Sequence, residues 1–132
     1  MNVARLPTWR AHLACYLIEA AGLGTFMLVA GIVAAGLASL PEPLHTALSQ
    51  HPERGRMAFG VLMGLTVIML VYSPWGRRSG AHLNPAVTAT FYALGKIDAL
   101  DALFYAIAQF AGGAIGFAFV AFMLHNTLAK PS

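Results

Sequence analysis

The sequence predicts an all-α membrane protein with three transmembrane helices and one re-entrant half-helix. Three observations carry that prediction. Of 132 residues, 58% are hydrophobic and 10% are charged, whereas a soluble domain carries about 25% charged residues. Three apolar stretches are long enough to span a bilayer, and most of the cations lie between them or at their ends. Between the second and third stretches sits Ser79-Gly80-Ala81-His82-Leu83-Asn84-Pro85-Ala86-Val87-Thr88, a block that opens a helix too short to cross anything.

The first span runs over about 11–40 and is apolar apart from His12, Glu19 and small polar residues. A secretory signal does not fit it, because the apolar stretch is too long, it holds a carboxylate, and more spans follow. The second span runs over about 57–75. It is apolar from Met57 to Tyr72, with Arg54 and Arg56 before it and Arg77 and Arg78 after it. It reaches the required length of about 20 residues if Trp75 and the arginines extend to the interface. The third span runs over about 100–124, with Gln109 as its one strongly polar side chain.

The re-entrant segment covers about 79–94. Asn84 is a good helix N-cap, and Pro85 suits the first helical position, where a missing N–H costs nothing. The apolar run from Ala86 to Leu94 is stopped by Gly95, as a glycine just past a helix end would do. Gly80-Ala81-His82-Leu83 is the non-helical part. Backbone of that kind is tolerated inside a bilayer only where protein buries it or water lines it. Its carbonyls lack helical partners and are available as acceptors for a hydrogen-bonding solute.

Composition excludes several functions. A net charge of +3 with scattered cations and no basic stripe argues against nucleic acid. Cys15 is the one cysteine, so no intrachain disulfide can form, and its apolar neighbours mark it as a packing residue. His12, His45, His51 and His125 show no ligand spacing around His82, so no metal is expected. No catalytic dyad, activated nucleophile or phosphate loop occurs; neither an enzyme nor a cofactor is expected.

Charge also orients the chain. With the N-terminus in the cytoplasm, the inner face carries five cations (Arg5, Arg10, Arg77, Arg78 and Lys96) and the outer face three (Arg54, Arg56 and Lys130), the latter partly offset by Glu42 and Glu53. The positive-inside rule favours that orientation, and a multi-pass protein of the plasma or inner membrane is expected. A carboxylate within a span is costly and needs partners. Glu19 is therefore expected to brace the re-entrant loop through the loop's unpaired N–H groups, and Gln109 to do a similar task. The spacings Gly60/Gly64 and Gly112/Gly116 predict close helix packing.

The Ser79–Thr88 block closely resembles the first signature of the aquaporin and glycerol-facilitator family, the major intrinsic proteins. Glu19 followed by Gly24-Thr25-Phe26 resembles the family's first helix, and Tyr105-Ala106-Ile107-Ala108-Gln109-Phe110 with Gly112-Gly113 its third. The resemblance extends from about Cys15 to Leu124. It implies a fold of two inverted repeats, each contributing one Asn-Pro-Ala to a central channel. One such signature and three spans occur in 132 residues, so residues 1–132 are expected to be a single, N-terminal aquaporin-like half-repeat without the second signature. The implied function is a passive channel subunit for water or small uncharged solutes such as glycerol. Asn84 would donate its amide to the solute, Gly80, Ala81 and His82 would offer carbonyls, and Pro85 and Ala86 would shape the constriction. Counting back from Asn84, Gly64 falls near the position where family members carry a bulky filter side chain. The pore would need a partner: a separate chain supplying the second half-repeat, or self-association in the lipid bilayer as a homo-oligomer. The alternative is a non-conducting truncated protein or an assembly subunit.

Overall fold

A computed structural model describes residues 8–128, with side chains placed from His12 to His125 inside the first and last helices. Arg5 and Lys130, which enter the charge count above, lie outside the described residues. Six helices follow in order: α1 Thr8–Ala38, α2 Leu44–Gln50, α3 Pro52–Tyr72, α4 Pro74–Ser79, α5 Pro85–Ala93 and α6 Ala99–Leu128. No strand occurs among the described residues. Three stretches are long and apolar enough to span a bilayer: His12–Ala38, Pro52–Tyr72 and Ala99–His125.

Helix boundaries follow local chemistry. α1 ends before Leu40-Pro41, because a proline disfavours helical geometry in the residue before it. α3 starts with Pro52 at its first position and Glu53 in its first turn, a placement that suits both the missing N–H and the helix dipole. Ser73 leaves the helix with ψ of 155° ahead of Pro74. Its hydroxyl then caps α4, accepting from the Gly76 N–H at 2.9 Å and donating to the Leu70 carbonyl at 2.7 Å. α5 ends in a left-handed Gly95 with φ of 66°. The Gly95 N–H bonds to the Tyr92 carbonyl and that of Lys96 to the Phe91 carbonyl, each at 2.9 Å, a Schellman closure.

One expectation is corrected by this arrangement. The second span does not continue to residue 75: the Ser73-Pro74 break puts Trp75 on α4, and α3 gains its length at the other end, from Pro52 through Arg56. The connection between the first two spans also holds an unforeseen short helix, α2.

Packing is dominated by α1 against α6. Gly24, Gly112 and Gly116 are buried in that seam. A Cβ on Gly116 would fall 2.5 Å from the Gly24 carbonyl oxygen, and one on Gly24 would fall 2.9 Å from the Gly112 carbonyl. The expected pair Gly60/Gly64 behaves differently. A Cβ at either position would meet nothing within 4 Å, because that face of α3 turns away from every other described helix. Met63, between them, is the α3 residue that is buried.

The interior is inverted relative to a water-soluble protein. Its largest fully buried side chains are Gln109, Glu19 and Thr88, while Ile32, Met69, Phe110 and Ile115 are about 70% exposed. Polar groups inside and apolar groups outside fit a lipid solvent, and the chain is an integral membrane protein.

Alanine is intrinsically about 1 kcal/mol better than glycine inside a helix. Gly60→Ala is therefore expected to raise thermal stability in detergent slightly, and Gly112→Ala to lower it by about 1–3 kcal/mol through overpacking. Circular-dichroism melts of the two variants check the difference in sign.

Candidate functional site: the Glu19 cluster and the 79–84 loop

Glu19 lies on α1, fully buried. A carboxylate offers about four lone-pair sites, and four donors fill them. The Ser79 hydroxyl and the His82 N–H donate to Oε1 at 2.7 and 3.1 Å. The Leu83 N–H and the Gln109 side-chain amide donate to Oε2 at 2.7 and 2.8 Å. One side chain thus joins α1, α6 and both ends of the loop that precedes α5.

The loop holds an uncommon backbone to make those bonds. Gly80 has φ of 92°, and two non-glycine residues, Ala81 and Leu83, have φ of 48° and 51°. Left-handed conformations at such residues cost of order 1–3 kcal/mol and persist where surrounding contacts enforce them. Here the contacts are visible: the N–H groups of Ala81, His82 and Leu83 all turn inward, the first to Ser79 Oγ at 3.2 Å and the others to Glu19. Among the described residues, no group donates to the carbonyls of Gly80, Ala81, His82 or Leu83. The inner edge of the loop is saturated with hydrogen bonds and the carbonyls remain as open acceptors.

Asn84 caps α5 with φ of −159° and ψ of 127°. Its Oδ1 accepts from the Ala86 N–H at 2.8 Å. The side chain is exposed, and its NH₂ has no protein partner among the described residues. Pro85 fills the first helical position, and Ala86 is exposed beside it. The cap therefore presents an uncommitted donor at the positive end of a nine-residue helix.

The ring of His82 is buried and held from three sides. Its Nδ1 lies 3.1 Å from the Thr88 hydroxyl. It stacks on Phe91 with centroids 4.5 Å apart and meets Tyr105 edge-on at 5.0 Å. Thr88 in turn accepts from the Gln109 amide at 3.0 Å, and the Tyr105 hydroxyl donates to the Ser79 carbonyl at 2.5 Å. Gly64 is apart from this cluster: it sits on the exposed face of α3 with open space in front of it.

Ser79, Thr88 and Tyr105 complete the network, and none was singled out from the sequence. Thr88 had a readable signal, since it is a hydroxyl four residues beyond the Asn84 cap in an otherwise apolar turn. Tyr105 had none, because an aromatic residue in an apolar span reads as packing. A second polar tie also went unforeseen: His12 Nδ1 lies 2.9 Å from the Asp101 carboxylate, and the Tyr16 hydroxyl donates to the same group at 2.5 Å. It joins α1 to α6 at one end of the seam.

The pattern of Asn-Pro cap, strained loop and buried Glu–Gln pair can be set beside known proteins. The major intrinsic protein family matches residues 4–131. This chain belongs to that family. As a major intrinsic protein it is similar to an aquaporin Z from Photorhabdus laumondii, 39% identical over 93 residues, or 69% of this chain and 36% of the relative. It is similar to a glycerol uptake facilitator protein-like 6 from Lactiplantibacillus plantarum, 37% identical over 98 residues, covering 74% of this chain and 39% of the relative. An aquaglyceroporin AqpS from Rhizobium meliloti is 35% identical over 97 residues, with the same two coverages, 74% and 39%. The chain thus spans 36–39% of the length of these relatives. No solved structure matches it.

Removing the carboxylate takes an acceptor from four donors and leaves the His82 and Leu83 N–H groups with none, each costing about 1–3 kcal/mol when buried. Glu19→Ala is expected to prevent recovery of folded protein in mild detergent. Thr88→Val should lower stability by about 1–3 kcal/mol and Thr88→Ser should restore most of it, as read from thermal melts. Equal melts for the valine and serine variants would contradict a hydrogen-bonding role for Thr88.

Proposed function

We propose that this chain forms one half of the wall of a passive channel for water or small uncharged solutes such as glycerol. The observation that carries the reading is the uncommitted Asn84 amide beside a row of open carbonyls at Gly80, Ala81 and His82. A neutral, hydrogen-bonding solute needs donors and acceptors along its path to replace its hydration shell. The N-terminus of α5 adds a positive dipole end that disfavours cations at the same level.

Depth supports a re-entrant placement of residues 79–94. Glu19 is seven residues beyond His12, the first residue of the span's described part, and so at least about 10 Å along the helix. Gln109 is ten residues beyond Ala99, about 15 Å, or half of a hydrocarbon core about 30 Å thick. A loop tied to both side chains sits well inside the slab. Cations at Arg10, Arg77, Arg78 and Lys96 favour a cytoplasmic N-terminus, so the loop would enter from the cytoplasmic side of the plasma or inner membrane.

A second wall must cover the exposed Asn84 face. A separate chain carrying the matching half-repeat, an inverted second copy or parallel copies around one axis would each supply it. Residues 1–132 are then a single half-repeat, with Glu19 and Gln109 as loop braces and Pro85 and Ala86 at the contact between halves. Gly64 would line the pore where its missing side chain leaves a wide constriction.

Osmotic shrinkage of liposomes containing the purified chain tests the proposal. Permeability well above that of empty liposomes is expected, with Asn84→Asp lowering it because a carboxylate removes the donor. Permeability equal to that of empty liposomes would point instead to a non-conducting assembly subunit. A wide constriction at Gly64 predicts that Gly64→Trp reduces glycerol flux more than water flux; an unchanged ratio would remove Gly64 from the pore.

A further inference from the structure

The hydrogen bonds behind the loop run in one direction, and that direction decides where His82 carries its proton. Gln109 is fully buried, with its amide between Glu19 and Thr88. An amide has a donor nitrogen and an acceptor oxygen, and its neighbours decide which faces where. With four donors on it, the Glu19 carboxylate accepts only, so the NH₂ group faces it at 2.8 Å. The second amide hydrogen goes to the Thr88 hydroxyl oxygen at 3.0 Å. Thr88 then has one proton to give. It can return it to the Gln109 carbonyl oxygen at 3.4 Å or pass it on to His82 Nδ1 at 3.1 Å. The return bond is longer than the usual O–H···O range of about 2.5–3.0 Å, and it points the hydroxyl back at the amide that is donating to it. The forward bond completes a relay from Gln109 through Thr88 to His82.

In a neutral imidazole one nitrogen accepts and the other carries the hydrogen. With Nδ1 accepting from Thr88, the hydrogen sits on Nε2. His82 is 7% exposed and its ring lies against Phe91 and Tyr105. Nε2 has no hydrogen-bond partner among the described residues. Every sealed side-chain nitrogen or oxygen among those residues does have one, so Nε2 reaches the molecular surface. It emerges beside Gly80, where a Cβ would lie 3.6 Å from it. Gly80 is exposed, and its carbonyl is one of the loop's open acceptors.

We infer that His82 is held as the Nε2–H tautomer and presents that N–H beside Gly80, two residues ahead of Asn84, as a second open donor for the oxygen of water or a small hydroxylated solute. Thr88 and Gln109 are positioning residues, since they set the tautomer without touching the solute. The use of this donor in conduction rests on the channel reading above; the tautomer and its exposure do not.

Nuclear magnetic resonance of the full chain with ¹⁵N-labelled histidine, in detergent micelles at about pH 8, above the ordinary histidine range, tests the inference. The His82 signals are recognised by their contacts with the Phe91 and Tyr105 rings. Nε2 is expected as the protonated nitrogen, exchanging its hydrogen with water, and Nδ1 as a bare nitrogen shifted upfield by an accepted hydrogen bond. Thr88→Val should move Nδ1 downfield to the position of an unbonded nitrogen, and Thr88→Ser should bring it back. A hydrogen found on Nδ1 of the unaltered protein would overturn the inference. So would an Nε2 hydrogen that does not exchange with water in the folded protein, because the donor would then be covered. An identical Nδ1 signal in the folded valine and serine variants would break the relay and overturn it as well. The first two readings need no variant, so they decide the matter even where the valine protein fails to fold. Osmotic shrinkage separates the two claims: liposomes no more permeable than empty ones would refute the channel reading and leave the tautomer and its open donor as measured.

Discussion

A carboxylate buried between apolar helices must be surrounded by donors, and the four around Glu19 come from three different parts of the chain. That single requirement ties α1 to α6 and pins the loop before α5. It goes with the strained backbone at Ala81 and Leu83, where the N–H groups of His82 and Leu83 turn toward one acceptor. It also accounts for the free carbonyls. Once the N–H groups face inward, the oxygens are left on the side away from Glu19.

The seam that holds Glu19 in place is made by absence of side chains. Gly24, Gly112 and Gly116 bring the backbones of α1 and α6 so close that a methyl group would strike a carbonyl. In lipid there is little hydrophobic drive to bring two apolar helices together, so close packing and interhelical hydrogen bonds must do it. The glycine seam supplies the first and the Glu19–Gln109 pair the second. The His12–Asp101–Tyr16 tie fastens the same two helices at one end.

Polar and apolar surfaces divide according to use. The open donors and acceptors cluster at Asn84 and the loop, while a groove by Trp75 is lined mainly by apolar side chains. The two lie on either side of Leu83, which bonds inward through its N–H to Glu19 and lends its side chain to the groove. An apolar groove and the open acceptors of the loop thus meet at one residue.

The class of protein, its three apolar spans, the short helix at Asn84-Pro85 and the demand of Glu19 and Gln109 for hydrogen-bond partners were legible in the sequence. Each rests on a local rule: hydropathy over about 20 residues, cap chemistry, or the cost of a polar group in an apolar run. The break at Ser73-Pro74 was readable by the same kind of rule, yet the apolar count carried the span through it to Trp75. Which glycines pack was not legible. Gly60/Gly64 and Gly112/Gly116 have identical spacing, and only the tertiary arrangement shows that one pair meets a helix and the other meets nothing. The hydrogen-bond partners Ser79, Thr88 and Tyr105 were likewise decided in three dimensions. Local chemistry says that a buried polar atom requires a partner; which distant residue supplies it depends on how the helices cross.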